Sequence, residues 1–389
     1  MVVRAKASCK QLATFCSRRP ELDLVLLGGV TSGPGMEGKL RALPDGVIGI
    51  RGKMGDSILA REAYSYPGLP SPAVEKSSSG TATIGAAGHT AVRVSDVDST
   101  QRLLDSYFEK GYKELDAARL YGDGTTEEVT VSQIRKQITL IIPLKPGDHS
   151  PERLRATLDI SLKALHPHKI RVLYLHAPDR SVPYIDTLRA IDELHREGKF
   201  EAFGLSNYAA WEVVEIIHIC KENSFIQPTV YQGLYNAISR TIEPELIPAI
   251  RKFGLRLVTY NPLAGGFFTG KASFEDKSLD ASDPFHSQNG WLGPIMRAKY
   301  LKDGQLEALK IVSEIAQTHN LTLPEIGHRW LQHHSKLQPG DGVVFGASSG
   351  EHVHANVASA EKGPLPEEVV AALDLANRVV GLDAPSYAR

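Results

Sequence analysis

Asp116, His176, Ser206 with Asn207, Gln232, and Tyr260 with Asn261 all fall at or just past the ends of short β-branched and apolar runs. A carboxylate and an imidazole can move protons near neutrality, while hydroxyls and side-chain amides offer paired donors and acceptors. If those runs are strands whose ends meet, the residues form one polar site suited to binding and acid–base work. Other chemistries find no support. There is no G-x-S-x-G hydrolase elbow and no G-x-G-x-x-G after an early strand. The pairs His166/His168, His333/His334 and His352/His354 lack carboxylate or cysteine partners at ligand spacing, so they read as solvated surface histidines and no metal is expected. Cys9, Cys16 and Cys220 match no zinc pattern, and three cysteines build no disulfide framework, which points to a reducing compartment.

The elements that would position this site can be walked along the chain. Strand-like runs occur at 81–84, 114–117, 138–142, 172–176, 202–205, 229–232, 256–260 and 342–345. Helical spacing fills 151–165, 183–197, 210–223, 244–253, 304–319 and 351–360. In 183–197, Ile185, Leu188, Ile191 and Leu194 recur every three residues, and Gly198 supplies a stop. Strands alternating with helices predict a parallel sheet, and a count of eight favours closure into a single (β/α)8 TIM barrel over an open sheet. In such barrels the site lies at the C-terminal strand ends, where the polar residues fall.

The barrel is expected over 80–389, with 1–79 as an N-terminal extension. The Gly, Pro and Ser residues recurring over 28–80 read as poorly ordered chain of no assigned structure. Residues 1–20 carry Arg4, Lys6, Lys10, Arg18 and Arg19 with no acid before Glu21. Mitochondrial presequences share that bias, but an arbitrary basic terminus and a cytoplasmic protein are the preferred reading. The 389 residues hold 44 Lys+Arg against 45 Asp+Glu, a net charge of -1, and 42% hydrophobic residues. That balance supplies no field for nucleic acid, and no apolar run approaches the roughly 18–20 residues that cross a bilayer.

Read with their neighbours, the strand ends resemble the aldo-keto reductase superfamily, particularly the aflatoxin-aldehyde reductase group. The matching stretches are Glu114-Leu-Asp-Ala-Ala-Arg-Leu-Tyr121-Gly, Leu173-Tyr-Leu-His176-Ala-Pro-Asp179, Gly204-Leu-Ser-Asn-Tyr208, Thr229-Val-Tyr-Gln-Gly-Leu-Tyr-Asn236, Tyr260-Asn-Pro-Leu-Ala-Gly-Gly266 and Gly346-Ala-Ser-Ser349. The resemblance implies one barrel that binds NADPH and reduces small aldehydes or ketones, in a group where homodimers are common. By motif, Tyr121 is the proton donor, Asp116 supports it and His176 orients the substrate carbonyl. Ser206, Asn207 and Gln232 would hold the nicotinamide carboxamide, and Tyr260 would stack on its ring. The loop holding Asn261, Leu263 and Gly265, with Lys271, would follow the pyrophosphate. Gly346, Ser348, Ser349 and His352 open a helix whose N-terminus is a natural seat for a phosphate, here the adenosine 2′-phosphate. Asn356 would face the adenine. Because histidine is only partly charged at neutral pH, use of NADH stays open beside NADPH.

One departure bears on activity. Relatives carry a catalytic lysine in a Thr-Lys pair at the end of the third strand, whereas this chain reads Ile138-Thr-Leu-Ile-Ile-Pro143-Leu-Lys145. Lys145 falls in the loop that follows and is the candidate substitute. Without its cation, a buried Asp116 would rise in pKa and Tyr121 would lose the charge that tunes it. The alternative function is therefore a cofactor-binding, catalytically impaired barrel with a regulatory or scaffold role. The substrate pocket is expected to take its shape from 273–300, with Phe285 and Trp291.

Overall fold

The structure is a computed structural model. It describes residues 80–389 apart from 113, 131–136, 143–145, 271–278 and 280–282, and, in the preceding chain, the strand residues 2–4, 24–27, 41–43, 47–50 and 76–79.

The chain divides into two units, Met1–Leu69 and Pro70–Arg389. Within the first, β1 (Val2–Arg4), β2 (Leu24–Leu27), β3 (Arg41–Leu43) and β4 (Val47–Ile50) form a sheet in the order β1-β2-β4-β3. The composition of this stretch predicts no regular element. The strands escape notice because each is only three or four residues long, too short for any periodicity to show.

The second unit is a closed barrel of eight parallel strands, as expected. They are β5 (Lys76–Gly80), β6 (Glu114–Ala118), β7 (Gln137–Ile142), β8 (Ile170–Leu175), β9 (Phe200–Ser206), β10 (Pro228–Leu234), β11 (Arg256–Tyr260) and β12 (Gly342–Gly346). Seven coincide with the sequence expectation to within three residues at either end. The first does not. The run 81–84 is a turn with a single bridge from Ile84 to Val94, and the strand is the serine-rich segment before it. Lys76-Ser-Ser-Ser-Gly80 has poor β propensity by itself. Five residue pairs to β12 and three to β6 hold it extended, so its neighbours override its composition and the barrel begins upstream of residue 80.

Helices follow the strands. They are α1 (Val97–Glu109), α2 (Thr126–Thr130), α3 (Pro151–Ala164), α4 (Tyr184–Arg196), α5 (Ala210–Glu222), α6 (Leu246–Lys252), α7 (Leu292–Tyr300), α8 (Asp303–Thr318), α9 (Leu323–His333), α10 (Gly350–Ala360) and α11 (Glu367–Val380). In α4, Leu188, Ile191 and Leu194 are fully buried against the barrel, each contributing about 1.5–3 kcal/mol by leaving water. The Ser150 hydroxyl caps α3 by accepting the Arg153 N–H, with Pro151 in the first turn, where no partner is needed for its nitrogen. His333 and His334 are not simply solvated. They bond to the chain that follows α10, through the Lys362 carbonyl at 2.7 Å and the Leu365 N–H at 2.9 Å.

Two apolar layers result. One lies between strands and helices and includes Leu115, Ala117, Leu140 and Leu173. The other fills the barrel interior with Ala118, Val172, Tyr174, Val230, Val258 and Val344. Gly204 makes room for Tyr174, since a Cβ there would lie 2.5 Å from the ring. No helix among the described residues is long and apolar enough to cross a membrane.

Candidate active site

Alternation along β6 turns Leu115 and Ala117 outward to the helices and leaves Asp116 facing inward, 2% exposed. Burial pushes its carboxyl up to about 7, against hydrogen bonds from Gln232 and Tyr121 that favour the charged form. Gln232 Nε2 supplies one of these at 2.8 Å. Tyr121 sits just past β6 in the tight turn Tyr121–Gly124, where Gly122 adopts φ 53 and a Cβ would crowd the Thr125 and Thr126 hydroxyls. The turn is tied to the 81–94 loop. Thr126 Oγ1 donates to the Ile84 carbonyl at 2.6 Å, and the Ala86 N–H donates to Thr125 Oγ1 at 2.9 Å. The Tyr121 hydroxyl is thereby held against Asp116. Burial, then the Asp116 charge, raise its pKa well above the usual tyrosine value, so it is a protonated donor at neutral pH.

His176 follows β8. Burial pushes its imidazole down to about 3, helped by Arg389, His149 and Lys299, so it is neutral. The next strand end supplies Ser206 and Asn207, both buried. Asn207 Nδ2 donates to the His176 carbonyl at 2.7 Å and to Ser206 Oγ at 2.9 Å, while its Oδ1 accepts from the Tyr260 hydroxyl at 2.7 Å.

These side chains open into one cleft of about 1620 Å³ at the C-terminal strand ends. Asp116, Tyr121, His176, Ser206, Asn207, Gln232 and Tyr260 line its floor, Asn261, Leu263 and Gly265 one wall, and Gly346, Ser348, His352 and Asn356 its far end. A profile of the Aldo/keto reductase family matches residues 78–378. The chain belongs to the aldo/keto reductase family. Within it, the aflatoxin-aldehyde reductase group is supported by similarity to "Aldo-keto reductase family 7 member A3" of Homo sapiens, 41% identical over 309 residues, 76% of this chain and 93% of the relative. "Aflatoxin B1 aldehyde reductase member 2" of Mus musculus is 41% identical over 311 residues, 76% of this chain and 84% of its own. "Aldo-keto reductase pigE" of Monascus ruber is 36% identical over 310 residues, 74% and 88% of the two chains.

In this aldo/keto reductase family member, the remaining expected site residues fall as follows. Ser349 is absent from the cleft lining. It caps α10 by accepting the His352 N–H at 3.3 Å, a role that a serine just before a helix often takes. Asn356 does line the cleft, but it is buried between His328 Nε2 at 3.1 Å and the Gly346 carbonyl at 3.3 Å. Lys145 and Lys271 lie outside the described residues. Strand β7 pairs Asp116 with Thr139 and Ala117 with Leu140, and Leu140 is buried in the layer behind the strands.

Among the lining residues that no sequence motif marks are His328 from α9 and Arg389. Burial, together with the Arg389 charge, pushes the Lys299 ammonium down to about 8. His328 belongs to a helix outside the helical runs of the sequence pattern, and no local motif marks Arg389. The segment expected to wall the pocket does so, through residues that include Phe285, Trp291, Met296 and Lys299.

Proposed function

We propose that this protein reduces an aldehyde or ketone to the alcohol using NADPH, with Tyr121 as proton donor. The observation that carries the reading is the Tyr121 hydroxyl, protonated and held by Asp116 at the floor of a cleft it shares with neutral His176. The cleft fits a dinucleotide. Its volume exceeds the roughly 300–1,000 Å³ that suits one drug-sized ligand. Its far end is the start of α10, where backbone N–H groups and Ser348 favour an anion, with the His352 ring 3.2 Å from the Ser348 hydroxyl. Gly265 and Gly266, at φ 66 and 104, form a wall in a backbone conformation that side chains resist. The dinucleotide, when bound, supplies the hydride.

The chain's own residues do the rest. His176 Nε2 or Nδ1, uncharged, points a hydrogen bond at the carbonyl oxygen and fixes its orientation. The Tyr121 O–H passes its proton to that oxygen as negative charge develops there. Lys299 and Arg389 are among the cations lining the cleft, which favours carbonyl substrates bearing a carboxylate. NADPH is favoured over NADH by the anion seat at α10, and His352 adds charge there only when protonated.

A second reading is a cofactor-binding barrel without turnover, favoured by the absence of a lysine from β7. One experiment separates the two. NADPH oxidation is followed at steady state with a panel of neutral and carboxylate-bearing aldehydes, for the wild type and Tyr121→Phe. Turnover that falls at least about a hundredfold in the variant is expected. Equal rates in the two would remove Tyr121 from its role, and NADPH fluorescence quenching without turnover on any carbonyl would establish the second reading.

A further inference from the structure

When Tyr121 gives up its proton, its oxygen takes on negative charge inside a partly closed site, and a facing cation lowers the cost of that charge. Strand β7 offers none, since it reads Gln-Ile-Thr-Leu-Ile-Ile over 137–142. The titratable and charged groups around the Tyr121 hydroxyl can be named element by element. Asp116 on β6 is an acid, Tyr260 at the end of β11 is a phenol, and His176 after β8 is neutral. Lys299 on α7 shares the cleft, and among the described residues the cation that acts on Tyr121 itself is Arg389.

We propose that Arg389 is the positioning cation of the proton-transfer site, its guanidinium held beside Tyr260 and Tyr121 to stabilise the charge that develops on Tyr121. The segment 385–389 is laced down by long-range hydrogen bonds. Thr241 Oγ1 donates to the Pro385 carbonyl at 3.2 Å. The Tyr387 hydroxyl donates to Glu245 Oε2 at 2.9 Å and accepts from the Ala210 N–H at 3.2 Å. The Arg389 N–H donates to the Asn207 carbonyl at 3.1 Å. Asn207, at φ 61, thus takes the Arg389 backbone on its carbonyl and the Tyr260 hydroxyl on its side chain. That fixes the Arg389 backbone one residue from Tyr260 through Asn207, and Arg389 lines the same cleft as Tyr260 and Tyr121. Its charge opposes the effect of burial on both phenols, as a nearby cation must. Arg389 is exposed, so solvent screens part of its charge and the effect is modest.

The inference rests on the carbonyl-reduction reading, and its test has an arm that does not. In the first arm, an uncharged aldehyde is used, so that no substrate carboxylate depends on Arg389. Arg389→Ala is expected to lower kcat roughly three- to tenfold with KM little changed, and to move the basic limb of the pH profile upward, while Arg389→Lys restores most of the loss. In the second arm, a polyfluorinated tyrosine whose phenol titrates nearer neutrality is installed at position 121 and titrated spectroscopically without substrate. Its midpoint is expected to rise when Arg389 becomes Ala and to return with Lys. An unchanged midpoint, or one that moves only with Lys145→Met, overturns the proposal. If the wild type turns over no carbonyl, the functional reading fails while the titration still decides for or against Arg389.

Discussion

Gln232 Nε2 donates to Asp116 Oδ2 at 2.8 Å across the mouth of the barrel, from β10 to β6, strands four places apart in either direction around the ring. The bond ties opposite walls of the site through a carboxyl that burial holds near 7. Nothing local foretells it, because 116 residues separate the partners.

The raised Asp116 pKa makes stability depend on pH. The folded state favours the neutral carboxyl, so this group's contribution is fully present below about 4 and is lost as pH rises through 7. Asp116→Asn removes the ionisation and keeps the shape. Calorimetry is expected to show the variant gaining roughly 2–4 °C in Tm relative to the wild type on going from pH 5 to pH 8. A Tm difference that is the same at both pH values would contradict the assignment.

His176, held near 3, stays uncharged throughout the working range and has no limb of its own between pH 5 and 8. Any limb near 7 in kcat/KM is expected to belong to Asp116 and to vanish in Asp116→Asn. His176→Gln, which keeps a donor, should cost about tenfold in kcat/KM, and His176→Ala about a hundredfold. A limb near 7 that survives in Asp116→Asn and disappears in His176→Gln would reverse the assignment.

Lys299, held near 8, carries its charge at neutral pH and loses it above 8. KM for a carboxylate-bearing aldehyde should therefore climb above pH 8 in the wild type. Lys299→Met should raise that KM about tenfold at pH 7 and abolish the climb, leaving neutral aldehydes nearly unaffected. Equal losses for both substrate classes would show that Lys299 shapes the pocket without reading charge.

Gly265 adopts φ 66, and a Cβ there would run into the Met296 methyl. Gly265→Ala is expected to cost about 1–3 kcal/mol in denaturant unfolding, from strain and crowding together. It should also raise KM for NADPH, because Met296 and the wall it touches must shift. Unchanged stability would mean that the loop relaxes freely.

Alternating apolar runs set seven of the eight barrel strands and, through the inward positions at their ends, Asp116, His176, Ser206, Asn207, Gln232 and Tyr260 as one polar set. Those features are local, since period-two alternation and helical spacing depend on near neighbours in the chain. The tertiary structure decided what depends on distant partners. Lys76–Gly80 is a strand because β12 and β6 flank it, despite three serines. Ser349 is committed to a helix cap by the geometry of the turn before α10. Arg389 reaches the site because Thr241, Glu245, Ala210 and Asn207 hold the closing segment over it. For Lys76–Gly80 and Arg389, long-range hydrogen bonds outweigh what the local sequence favours, and such bonds exist only once the barrel has closed; the Ser349 cap is a local bond, three residues along the chain.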